Sequence, residues 1–160
     1  MPGAADLVIL AVPLRKFRRV PLGLLAGRTV VDVMNYWPPI DGVLPEFEDG
    51  RPSSEIVRDA LPPTSRLVKT LNHIGYHEIE ELAHPAGSPE RVALALAGND
   101  SGAVGVVARF VDELGFDPVL AGSLAESARL QPGSPVFGAD LDRDALRRDL
   151  GSATTSVGIG

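Results

Sequence analysis

A continuous apolar run, Leu7 to Val12, stands almost at the start of the chain and constrains it more than any other stretch. It is far shorter than the roughly 18 residues that cross a bilayer, and too uniform for a strand with one wet face. Such a run reads as a parallel strand covered on both faces, of the kind found in the middle of an α/β sheet. Asp6 precedes it and Pro13 ends it. A strand of central type therefore opens the chain, with no predicted element before it.

Four more apolar runs follow: Arg28–Met34, Leu67–Leu71, Val92–Ala97 and Val119–Ala121. Stretches of helical or turn character separate them. Residues 14–25 predict a short helix or helix pair, with Gly27 as its stop. Ser53 is placed to cap a helix that Pro62 and Pro63 end. Residues 73–82 predict a turn and a short helix. Asp100 or Ser101 caps a helix running to Leu114, and Gly115 closes it. Residues 123–130 and 140–150 predict two more helical segments. Strands alternating with helices predict an α/β fold with a mostly parallel sheet. The length suits one domain over residues 1–150, with 151–160 expected as a frayed tail.

The charge balance narrows the partners. Fifteen Lys and Arg against 21 Asp and Glu give a net charge of -6 and a pI near 5.0. This argues against nucleic acid or an anionic membrane as the main partner. The chain has no cysteine. Disulfides, thiolate metal sites and a thiol nucleophile are thereby excluded, and a cytoplasmic location is expected. No basic residues precede the first apolar run, so it does not read as a signal peptide.

In an open parallel sheet, ligands bind outside the carboxyl ends of the strands. Pro13, Asn35, Asn72 and Gly98 fall at those ends. An Asn there can bond an amide, a ribose or a neighbouring loop, or can serve only as a turn residue bonding its own backbone. Tyr36 and the single Trp, Trp37, stand in a proline-rich loop leaving the second strand. They can line a cleft or pin the loop by their own packing. His73 and His77 have helical ligand spacing, but Gly75 lies between them and no Glu follows His73, so no metal site is predicted. Arg15, Lys16, Arg18 and Arg19 read as a solvated helix face rather than a phosphate patch. There is no Walker motif and no G-x-G-x-x-G; residues 98–105 are glycine-rich without that spacing.

Several segments in order are similar to the NADPH-dependent reductases of the deazaflavin coenzyme F420. They are Ala11-Val12-Pro13, Val68-Lys69-Thr70-Leu71-Asn72, the strand ending Ala97-Gly98-Asn99-Asp100, and Leu114-Gly115-Phe116 through Leu130. The resemblance spans about residues 5–138. It implies a Rossmann-like fold with NADP along the strand ends and coenzyme F420 as co-substrate. It assigns cofactor contacts to Ala11, Val12, Pro13, Asn35 and Asn72, and places Lys69 beside the cleft where the two rings meet. The family tends to have Phe at Leu71 and Thr at His73, and the 35–39 loop departs from its Asn-Pro turn. The glycine-rich phosphate loop and its flanking strands, which open the family's domain, are absent here. The resemblance thus implies a member lacking its N-terminal dinucleotide-binding segment.

The expected activity is hydride transfer between NADPH and coenzyme F420. The alternatives are a non-catalytic remnant or partner-completed module, and an NADP-dependent dehydrogenase of another small substrate. Without its usual neighbour, the first strand is expected to be an apolar sheet edge that invites aggregation or a strand-paired homodimer.

Overall fold

All five apolar runs become strands in the computed structural model, which describes residues 7–155. They are β1 (Leu7–Leu10), β2 (Thr29–Asp32), β3 (Arg66–Lys69), β4 (Ala93–Gly98) and β5 (Asp117–Gly122). They form one sheet in chain order, β1-β2-β3-β4-β5. Pairs β1–β2, β2–β3 and β4–β5 are parallel. The sheet is the mostly parallel one expected, with one antiparallel seam between β3 and β4.

The seam has a local cause. A parallel return needs a crossover, usually built on a helix of several turns. The segment from 70 to 92 offers only the single turn α3 (Glu78–Glu81), so the chain doubles back at the end where β3 finished. The long helices are α2 (Ser53–Ala60), α4 (Ser101–Leu114) and α5 (Arg143–Thr155), with another single turn, α1, at Pro38–Asp41. The basic segment 14–19 and its neighbour 22–25 are 3-10 turns rather than α-helix. They bury Leu14, Phe17 and Leu25.

Side-chain alternation along the strands sorts the core into layers. Val31, Val68, Leu94 and Leu96 face α4 through Ala103, Val107 and Val111. Val30 and Leu67 face the opposite way, toward Ile56 and Val57 of α2 and toward Phe17 and Phe47. Ala93, Ala95 and Ala97 join Val119, Leu130 and α5 residues Leu146 and Leu150 on that same second face.

Strand β1 departs from the expectation of a doubly covered central strand. Among the described residues it pairs only with β2. Leu10 is buried, but Ile9 is 44% exposed. Ser53 does not cap α2: Pro52 takes the cap position, and the Ser53 N–H donates to Gln131 Oε1 at 2.9 Å. The last helix continues past the expected end at Leu150 to Thr155, and residues 156–160 of the expected tail lie outside the described residues. No helix among the described residues is long and apolar enough to cross a membrane.

Helix α4 follows its sequence signals closely. Asp100 Oδ1 accepts the Ala103 N–H at 2.8 Å, and Gly115 ends the helix at φ 114°. A Cβ at Gly115 would come within 2.8 Å of Ala83 Cβ. Substituting Asp100→Ala removes the cap and is expected to cost about 1 kcal/mol, read as a melting point lower by roughly 2–4 °C. An unchanged melting point would show that the cap adds nothing.

Candidate functional site

Asp32 and Lys69 are register partners at the ends of β2 and β3. Each strand is followed, three residues on, by an asparagine, so matched register brings Asn35 and Asn72 together. Asn35 Nδ2 donates to the Asn72 carbonyl at 2.8 Å, and Asn72 Nδ2 donates to Asn35 Oδ1 at 3.0 Å. Neither side chain caps its own turn.

The two amides differ in what they have left. Asn72 is buried and gives its second amide hydrogen to the Leu130 carbonyl at 2.7 Å. Its Oδ1 lies 3.2 Å from His73 Nδ1. His73 Nε2 in turn faces the Ala95 N–H at 3.0 Å. A backbone N–H can only donate, so Nε2 accepts and the imidazole proton sits on Nδ1. Asn72 therefore has both donors and its acceptor engaged. Asn35 is half-buried and keeps one N–H and one Oδ1 lone pair for the cleft. Burial, with a smaller contribution from Lys69, lowers the His73 pKa to about 4, so the ring is neutral near pH 7.

A cleft of about 550 Å³ opens beside this pair. Ile9, Leu71, Tyr76, Phe110 and Phe137 line it together with Asn35 and His73. None of its lining residues carries a charge at neutral pH. Leu71 enters it from a left-handed backbone, φ 64°, which for a leucine costs on the order of 1 kcal/mol. The Asn72–His73 hydrogen bonds on its C-terminal side hold that conformation.

A second, shallower cavity of about 310 Å³ shares Asn35 and Val33 with the first. Ala11, Val12 and Pro13 line it, facing Trp37 and Ile40. The two aromatic residues of the loop thus take different roles. Tyr36 pins the loop: it stacks on Phe47 at 5.4 Å, donates to Glu48 Oε1 at 2.6 Å and accepts the Leu44 N–H at 3.0 Å. Trp37 stays 45% exposed at the cavity. Asp41 holds the loop from beneath, accepting N–H groups of Trp37 and Arg15.

Two sequence expectations are corrected. Lys69 does not reach the cleft; it is fully buried beneath it, 3.5 Å from Asp32 Oδ2, and donates to the Met34 carbonyl. Asp32 also accepts the Met34 N–H at 2.8 Å and the Ser54 hydroxyl at 2.7 Å. Burial pushes the Lys69 ammonium below its usual range, and Asp32 opposes that. Gly98 does not join the strand ends at the cleft: β4 runs against β3, so Gly98 pairs with Val68 and the chain leaves it toward the start of β3. His73 and His77 do not converge: His73 is held as described, and His77 stacks on Tyr76 at 4.0 Å. Among the described residues no group of three metal-ligating side chains comes together. The basic segment is an exposed face, with Arg18 paired to Glu46. Sequence reasoning missed the roles of His73 and Leu71. The Asp32–Lys69 pair did leave a signal: two opposite charges, each embedded in an otherwise apolar strand.

An open, mostly parallel sheet with its cleft at the carboxyl ends of β1 to β3 defines a Rossmann-like α/β protein. The hypothetical protein SMa0349 from Sinorhizobium meliloti has this fold, with a TM-score of 0.70 and 33% identity over 88% of this chain and 68% of that one. The chain belongs to the same family as SMa0349. A protein from Arthrobacter sp. FB24, provisionally described as an F420-dependent NADP-reductase, shares the fold at a TM-score of 0.66 and 24% identity, over 88% of this chain and 71% of its own. The YjhV protein of Escherichia coli (strain K12) is 44% identical over 64 residues, 40% of this chain and 47% of that protein. The chain thus matches about half the length of that relative. No family model matches the chain.

Proposed function

We propose that the chain is an NADP-dependent oxidoreductase that passes a hydride between NADPH and a deazaflavin of the coenzyme F420 type. The observation that carries this reading is the uncharged cleft with a half-free carboxamide, Asn35, where it meets the second cavity. Flat, neutral rings suit such a lining, and an amide edge on one of them can meet the spare donor and acceptor of Asn35. The Arthrobacter neighbour supports the cofactor pair by analogy of fold.

The cofactors supply the redox chemistry: NADPH gives up a hydride to become NADP, and the deazaflavin takes that hydride and a proton. The protein's part is to orient rings and exclude water. Ala11, Val12, Pro13 and Asn35 contact the cofactor in this reading, and Asn72 acts by holding Asn35. A reductase of a small carboxylate substrate is less well supported, because no lining residue offers a cationic anchor. The exposed edge of β1 supports a second reading, a module completed by another strand. A monodisperse monomer by light scattering would rule out completion by a second copy.

Trp37 is the single tryptophan and lies at the second cavity, so its fluorescence reports binding directly. Titration with NADPH is expected to quench it at micromolar concentration, with NADH weaker. Asn35→Ala is expected to weaken NADPH about tenfold, the loss of one hydrogen bond plus a desolvated partner. No response to NADPH up to millimolar would overturn the proposal.

A further inference from the structure

We infer that His73 is a positioning residue that decides which atoms of the Asn35 carboxamide face the cleft. The argument runs along one chain of hydrogen bonds. The Ala95 N–H fixes Nε2 of His73 as an acceptor at 3.0 Å and thereby puts the ring proton on Nδ1. That proton selects the oxygen of the Asn72 amide, 3.2 Å away. The nitrogen end of Asn72 must then face Leu130 O, at 2.7 Å, and Asn35 Oδ1, at 3.0 Å. Asn35 is left with its oxygen toward Asn72 Nδ2 and its nitrogen toward the Asn72 carbonyl, at 2.8 Å.

A reversed Asn72 would set its NH2 against the Nδ1–H and its oxygen against the Leu130 carbonyl. Both contacts repel, and in this buried place water does not relieve them. The sense of one backbone N–H in β4 is thus passed through two side chains to the edge of the cleft. The chemical class selected is a neutral planar ring bearing a carboxamide or lactam, whose donor and acceptor match the spare N–H and lone pair of Asn35 in one orientation. This ligand preference rests on the function proposed above; the orientation of the amides does not.

Two variants separate positioning from plain packing. His73→Leu fits the apolar surroundings but cannot bond. His73→Gln keeps one acceptor and one donor. In ligand-free protein, NMR of the side-chain amides of Asn35 and Asn72 is expected to show water exchange at least about tenfold faster in His73→Leu. The same variant is expected to raise the Kd for NADPH about tenfold. His73→Gln should stay within roughly threefold of the native protein in both. If the amide signals of His73→Leu match the native protein, or if His73→Gln is as damaged as His73→Leu, the inference is wrong. Should His73→Leu not fold, Asn72→Ala cuts the same chain one link later, and unmoved Asn35 signals there would overturn it equally. If the native protein does not bind NADPH, the cofactor reading falls while the amide signals still decide the role of His73.

Discussion

Replacing Lys69 with methionine is expected to destabilise the fold by about 3–5 kcal/mol. Methionine fills the space, but the Asp32 carboxylate keeps its full burial and loses the cation paired with it. An unpaired buried charge is among the costliest defects a core can hold. The Met34 carbonyl loses a donor at the same time. A domain of this size has a total stability of about 5–15 kcal/mol, so the variant should show a much lower urea midpoint or not fold at 37 °C. Adding Asp32→Asn removes the stranded charge, while its amide can still accept from Met34 N–H. The double variant is expected to regain more than half of the loss. A single Lys69→Met variant within about 1 kcal/mol of the native protein would mean that water or rearrangement reaches Asp32.

The second large effect is acid sensitivity between about pH 6.5 and 4. The His73 pKa falls from 6.5 in the unfolded chain to about 4 in the fold, through burial first and the nearby Lys69 ammonium second. The folded state therefore binds fewer protons than the unfolded state across this window. Stability is complete above the unfolded value and is lost as pH falls toward the folded one. Relative to pH 7, the loss at pH 5 is about 2 kcal/mol from this group alone. Urea unfolding at the two pH values should show it in the native protein. His73→Gln, which cannot titrate, should lose less by about that amount. Equal losses in both proteins would place the acid sensitivity elsewhere.

Much of the sheet could be read from the chain because buried strands carry a strong local signal. Val30-Val31, Leu67-Val68 and Leu94 to Ala97 are apolar on successive positions, which only a doubly covered strand requires. Helix α4 was legible to the residue, since Asp100 and Gly115 are local devices. The seam between β3 and β4 was not legible, because direction depends on how residues 70–92 return, and no single residue there encodes it. The site divides in the same way. Asn35 and Asn72 stand out as polar residues closing apolar strands. Their unequal freedom depends on the Leu130 carbonyl and on the Ala95 N–H that fixes His73, both of which only the folded chain brings near. Lys69 was misplaced because the resemblance alone carried it to the cleft; its burial follows from Asp32 on the neighbouring strand.

Helix α4 begins at Ser101, beside Arg66 and Leu67, and its last turns supply Phe110 and Leu114 to the wall of the large cleft. Aligned peptide dipoles leave a partial negative charge at that end, and the buried Arg91 guanidinium answers it by donating to the Asp112 carbonyl at 2.5 Å. The helix end beside the cleft thus carries its own counter-charge, and the polarity a ligand meets there comes from Asn35 rather than from the helix.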